Sequence, residues 1–245
     1  MKIAIVTGSS KGIGEAVTRK LLENNYKVYG ISKTDSSINN PNFVWIKSDL
    51  SKIESFAEIS TRIIEDKIDL IVNNAGIAFG QNGLELTDIE FDKVFNLNFK
   101  SPIYLIKSLS EKIRGGTVIT VSSVSDRLVG PKFGLYCASK AAISKYMEAL
   151  SMENADIKFV TLLPSYVDTP LLRKLHDDGQ FSDFEWDEIV KPDQIAEFIK
   201  DILSEKYKFE SGVKIIIATD SLVEDFEYNE NLYGYNTSTK KLIEL

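Results

Sequence analysis

Residues 3–14 read IAIVTGSSKGIG, and the fold turns on them. Ile3 to Val6 is a short unbroken apolar run rich in β-branched residues, which suits a strand buried on both faces of a parallel sheet. It leads directly into Gly8, Gly12 and Gly14, and from Ile13 to Leu22 the apolar residues recur at helical spacing. Strand, glycine turn and helix aim the unpaired amides of a helix N-terminus at an anion, with glycines where the backbone turns tightly or meets its ligand. The ligand this arrangement fits is the pyrophosphate of a dinucleotide.

Outward from that stretch, further apolar runs repeat the strand signal: Lys27 to Ser32, Phe43 to Ile46, Leu70 to Val72, Thr117 to Val121, Ile157 to Leu163 and Val213 to Ala218. Helical patterns separate them. The longest runs from about Thr87 to Ile113, another starts near Tyr136, and a third begins with Pro192 in the first-turn position and reaches about Leu203. Residues 1–220 read as one domain. Beyond them LYGYN and KLIEL flank a polar turn at Thr237 to Thr239, so 221–245 is expected to form a small hairpin over the substrate mouth or at a subunit contact.

Composition narrows the partners. The chain has 245 residues, 43% hydrophobic, enough for one large domain with its own core. A net charge of -7 and a pI near 5.0 speak against nucleic acid, since a phosphate backbone calls for a concentrated basic surface. No apolar run is long enough to span a bilayer and no signal-peptide layout follows Met1, so a cytoplasmic protein without a membrane partner is expected. Cys137 is the single cysteine, which excludes an internal disulfide and a cysteine-cluster metal site; it reads as a small buried filler. The single histidine, His176, reads as a solvated loop residue, and no metal is expected.

Chemistry concentrates in SSVSDRLVGPKFGLYCASK, residues 122–140. With Tyr136 at a helix start, Lys140 sits one turn on and shares its face. A phenol titrates near ~10 and is a poor acid or base at neutral pH. One positive charge at about 4 Å contributes roughly 4 kcal/mol at an effective dielectric of about 20, worth about three pKa units. A hydroxyl from Ser122 or Ser123 is placed to hydrogen-bond a carbonyl oxygen that the tyrosine protonates. Alone, a Tyr and a Lys one turn apart are ordinarily a surface pair; it is the dinucleotide loop that gives them weight.

The spacing of Thr7, Gly8, Gly12 and Gly14, the NNAG of residues 73–76 and the serine upstream of Tyr136 and Lys140 resemble the short-chain dehydrogenase/reductase family. The resemblance covers about residues 1–220. It implies a three-layer α/β Rossmann fold, a seven-stranded parallel sheet with helices on both faces. It also implies a cofactor loop of Gly8, Ser10, Lys11, Gly12, Ile13 and Gly14, an adenine contact at Asp49 and Leu50, with capping of the following helix the other role open to Asp49, and a cofactor wall at Asn74, Ala75 and Gly76. Pro164, Val167 and Thr169 would hold the nicotinamide, although Ser165 stands where the family has glycine. Ser123, thirteen residues before Tyr136, is selected over Ser122 as the carbonyl-polarising hydroxyl. Tyr136 would be the general acid/base, Lys140 would lower its pKa and hold the ribose, and Asn98, in preference to Asn96, would support a proton relay. An insertion over about 168–190 would cover the substrate, with Leu171, Leu172, Phe181, Phe184 and Trp186, and with Phe79, Phe133 and Tyr166 setting specificity. Association as a homodimer or homotetramer would use the helices near 87–113 and 136–153.

The second strand's end bears on the cofactor. A carboxylate there repels a ribose 2′-phosphate and a cation attracts it. Ser32 is followed by Lys33, with Lys11 in the glycine loop, so NADP(H) is favoured, while Asp35 keeps NAD(H) possible. The expected function is carbonyl–alcohol interconversion of a small molecule by hydride transfer. The alternative is a non-catalytic NAD(P)-binding regulatory protein, which needs the glycine loop but not Ser123, Tyr136 and Lys140 together.

Overall fold

In the computed structural model, residues 1–180, 185–219 and 232–244 are described. The strands are β1 (Lys2–Thr7), β2 (Tyr26–Ser32), β3 (Phe43–Lys47), β4 (Leu70–Asn73), β5 (Thr117–Val121), β6 (Lys158–Pro164), β7 (Val213–Ala218), β8 (Leu232–Asn236) and β9 (Lys241–Glu244). Between them lie α1 (Gly12–Glu23), α2 (Ser55–Arg62), α3 (Asp88–Phe95), α4 (Ser101–Ser108), α5 (Gly134–Glu153), α6 (Pro170–Asp177) and α7 (Pro192–Leu203). The sheet order is β3-β2-β1-β4-β5-β6-β7-β8-β9, parallel throughout except for β9, which is antiparallel to β8.

Alternate residues of each central strand feed two cores, which is why these segments read as unbroken apolar runs. On one face Ala4, Val6, Val72 and Ile119 pack against Val17 and Leu21 of α1 and Phe198 and Ile199 of α7. On the other, Ile5, Ile31, Ile71 and Val118 meet Ile59 of α2, Leu105 of α4 and Ile143 and Met147 of α5. Burying one such side chain fully stabilises the fold by about 1.5–3 kcal/mol. Among the described residues no helix is long and apolar enough to cross a membrane.

Two elements depart from expectation. Among the described residues the sheet has nine strands rather than seven. The two C-terminal segments do pair with each other, but β8 also runs parallel beside β7 and places the Tyr235 ring on Phe198 of α7, 3.9 Å between centroids. The hairpin therefore extends the main sheet. The long helix expected over 87–113 is interrupted: α3, opened by a capping box between Thr87 and Glu90, passes into a π-turn at Asn96–Lys100 and then α4. The Ser101 amide donates to the Asn96 carbonyl five residues back, so one extra residue is accommodated without ending the helix.

In an open parallel sheet the ligand crevice lies beyond the strand C-termini, where the chain order reverses. Here β1 stands between β2 and β4, and the reversal falls at the glycine loop.

Candidate active site

The loop after β1 is shaped for close approach. Gly8 and Gly12 have φ of +68° and +58°, in the left-handed region that side chains disfavour. A Cβ on Gly14 would lie 2.2 Å from the Gly8 carbonyl oxygen, so only glycine fits there. Lys11 precedes α1 in an extended conformation and its side chain makes no capping hydrogen bond, leaving first-turn amides directed at the crevice. Asn74 fixes this loop from the next strand: its Nδ2 donates to the carbonyl of Thr7 at 2.9 Å, while the amides of Asn74 and Ala75 donate to Thr7 Oγ1 at 2.9 and 3.0 Å. An anion-binding turn braced by a side chain at the sheet edge fits a pyrophosphate, and these residues would hold it.

The crevice has two lobes. The first, of about 260 Å³, is walled by Gly8, Ser10, Lys11, Gly12 and Ile13, by Ser32, Lys33 and Leu50, and by Asn74, Ala75 and Gly76. The second, of about 470 Å³, includes Ser123, Pro164 and Val167. Ile13, Val121, Ser122, Tyr136, Thr169 and Leu171 line both, so the two are continuous and Tyr136 stands at their junction. Asp49 lines neither. Its carboxylate accepts from Ser51 and from Lys33 Nζ at 2.9 Å, contacts that hold it down to about 2. Asp35 is 80% exposed and lies 3.8 Å from Lys47.

The serines after β5 take separate tasks. Ser122 Oγ donates to the Lys140 carbonyl at 3.1 Å and lies 2.9 Å from Ser144 Oγ, which ties β5 to α5. Ser123 caps the short turn 124–126 by accepting from the Ser125 amide, and its hydroxyl hydrogen-bonds to Tyr136. Lys140, 6% exposed, donates from Nζ to the Val121 carbonyl at 3.0 Å and stands 5.8 Å from the Tyr136 ring centroid. Burial pushes the Tyr136 phenol up to about 12, against a smaller downward pull from Ser123, and pushes Lys140 down to about 8. The sequence leads one to expect a phenol drawn toward neutrality by its lysine, and the sign here is opposite. The ammonium is held on a backbone carbonyl, so desolvation dominates the phenol.

Asn98, buried in the π-turn, accepts from the Ile77 amide at 2.9 Å and donates to the Ile77 carbonyl at 2.9 Å and to Ser139 Oγ at 3.0 Å. Its amide joins the NNAG loop to α5. Asn96 Oδ1 is buried without a hydrogen-bond partner among the described residues.

The family model for short chain dehydrogenases matches residues 2–180. The chain belongs to that family. An uncharacterized oxidoreductase of Schizosaccharomyces pombe is 35% identical over 189 residues, 73% of this chain and 76% of the yeast protein. The NADPH-dependent 1-acyldihydroxyacetone phosphate reductase of Saccharomyces cerevisiae is 33% identical over 165 residues, 62% of this chain and 56% of that enzyme. A short chain dehydrogenase family protein from Francisella tularensis superposes with a TM-score of 0.81 at 31% identity, over 88% of this chain and 96% of that one. This short-chain dehydrogenase thus has an oxidoreductase fold with an NAD(P)-binding crevice.

Over the second lobe of this short-chain dehydrogenase lies α6, capped by Thr169 Oγ1, which accepts from the Leu172 amide. Asp168 gathers the cations beside it, Arg173 at 2.7 and 3.0 Å and Lys191 at 3.1 Å, which keeps its carboxyl below the usual range. His176 belongs to α6 and meets the Trp186 ring edge-on at 5.4 Å, a helical position rather than the expected loop. Phe133, Tyr166, Leu171 and Leu172 line the second lobe, whereas Phe79 sits under Lys93 and lines neither; Phe181 and Phe184 lie outside the described residues. Sequence reasoning passed over Ile31, Ile77 and Leu97, which line the first lobe, and Cys137, which lines the second as well as filling space. Strand parity marks Ile31, two residues on from Tyr29 on one face. Nothing local marks Leu97, because the π-turn that presents it shifts the helical phase.

Proposed function

We propose that this chain is an NADP(H)-dependent oxidoreductase that interconverts a carbonyl and an alcohol, with Tyr136 as the general acid/base. The observation carrying this reading is that Tyr136 stands where a lobe built for a dinucleotide opens into a lobe of substrate size, with Ser123 on its hydroxyl and Lys140 one turn below. When bound, the dinucleotide supplies or accepts the hydride. In reduction Tyr136 gives its proton to the substrate oxygen and is left as phenolate, while Ser123 donates to the same oxygen as charge develops there. A phenol held up at about 12 keeps that proton throughout the neutral range until it is needed. Lys140, at about 8, is a proton source close to neutrality from which the phenolate is restored. Asn98 holds the 75–78 loop and the Ser139 turn of α5 in register, so the three groups keep their spacing.

Preference for NADP(H) over NAD(H) is supported by Lys11 and Lys33 at the far end of the first lobe and by the NADPH dependence in the Saccharomyces cerevisiae relative's name. Lys33 is shared with Asp49, so Lys11 is the cation expected to dominate. Assembly as a homodimer or homotetramer is supported by an aromatic ladder, Phe91, Phe95, Phe99 and Tyr146, along α3, the π-turn and α5, with Phe91 43% exposed. The test is nicotinamide absorbance with a panel of ketones and aldehydes: turnover with kcat/KM at least tenfold higher for NADPH than for NADH is expected. Binding of NADPH with no turnover of any carbonyl favours the regulatory reading.

A further inference from the structure

We propose that the substrate is a neutral ketone or aldehyde carrying one apolar alkyl or aryl arm, and that the second lobe holds this arm. The proposal rests on the oxidoreductase reading above and adds what the site selects. The lobe, about 470 Å³, is lined among the described residues by no Asp, Glu, Lys, Arg or His. Its inner wall is the buried cluster of Phe133, Cys137 and Leu175. Apolar surface continues to the mouth, where Leu128 is 47% and Val129 81% exposed. Besides the apolar wall the lobe carries hydroxyls, and those of Ser123 and Tyr136 are hydrogen-bonded to each other, so a ligand is recognised as a carbonyl at that pair and as an uncharged, largely apolar body beyond it.

None of the nearby cations lines this lobe. Arg173 and Lys191 are on Asp168, Lys140 faces the first lobe, and Arg127, whose buried Nε has no hydrogen-bond partner among the described residues, is not part of the second lobe's wall. Residues 181–184, 220–231 and 245, outside the description, include no Lys or Arg. A carboxylate or phosphate drawn into this lobe would lose its hydration and gain no counter-charge. Such a site discriminates against anions of the same length and shape.

Two matched pairs test this with the full chain: octan-2-one against 7-oxooctanoate, and 4-phenylbutan-2-one against its ring carboxylate. Affinity for the NADP⁺-saturated protein is read by calorimetry and kcat/KM by NADPH oxidation. The neutral member of each pair is expected to be favoured at least tenfold in both readouts. Val129→Arg, a cation added at the exposed rim, is expected to raise kcat/KM for 7-oxooctanoate at least fivefold and to leave octan-2-one ahead by a smaller margin. A ratio below tenfold in binding, or failure of both neutral ketones to bind, overturns the proposal. Neutral ketones that bind with the expected preference and are never turned over leave the lobe's selectivity standing and overturn the oxidoreductase reading.

Discussion

Lys140 is the residue at which stability and chemistry are most directly opposed. Its ammonium is buried, with Val121 O as acceptor, and its folded pKa is depressed from 10.5 to about 8. A depressed lysine pKa means that the charged form weakens the native state. The penalty is full below pH 8, shrinks as pH rises, and is gone above the unfolded value. The stability of wild type relative to Lys140→Met should therefore increase between pH 7 and 9.5, by roughly 2 kcal/mol at most. Thermal unfolding of both proteins across that range checks it; a difference independent of pH contradicts it. The same titration bears on turnover. Carbonyl reduction should be level below pH 8 and fall above it as Lys140 loses its proton, because Tyr136, raised to about 12, does not titrate in this window. A rate that rises from pH 8 to 10 would show that another group limits the reaction.

At the scale of elements, the π-turn and the turn behind Ser123 hold the site. Asn98 makes three hydrogen bonds that no other side chain at that position reproduces. Asn98→Leu should lower stability by about 2–3 kcal/mol, since it strands the Ile77 amide and carbonyl, and lower kcat at least tenfold. Equilibrium denaturation and steady-state rates measure both. The turn 124–126 is pinned to β7 by a half-hidden ion pair: Asp126 and Lys214 side chains are 9% and 13% exposed, 4.0 Å apart, with Glu148 3.3 Å from the same ammonium. Burial pushes the Asp126 carboxyl up, so its charge depends on Lys214. Lys214→Met should cost about 1–3 kcal/mol by removing the largest attraction on that carboxylate, which keeps only Arg127, Ser144 and Lys145 about it, and Asp126→Asn in the same chain should recover most of it. A double variant no more stable than Lys214→Met would show that the two do not interact.

For the whole molecule, the sheet explains why so much was legible. Strands β1, β2 and β4 to β7 are buried on both faces, so each is written as an apolar run that local reading detects. The glycine loop was equally readable, because Gly14 is demanded by a backbone atom 2.2 Å from where its Cβ would be. What was not readable depends on distance in sequence. LYGYN looked like half of a hairpin, and nothing local reveals that its other neighbour is β7. The sign of the Tyr136 shift was missed because a helix face gives the distance to a charge but not the depth of burial. Among the described residues neither β8 nor β9 lines either lobe; residues 221–231 of the expected hairpin lie outside the described residues. Tyr235, 3% exposed on Phe198, should cost about 3–5 kcal/mol when truncated to alanine, seen as a lower unfolding midpoint with kcat unchanged at low temperature.

In the proposed reaction Tyr136 moves the proton at a crevice that would hold a nicotinamide dinucleotide. The most direct measurement is Tyr136→Phe, followed both for NADPH affinity and for reduction of a carbonyl that the wild type accepts. NADPH affinity within about fivefold of wild type and a kcat lower by at least a thousandfold are expected. Turnover retained within tenfold of wild type would contradict this role.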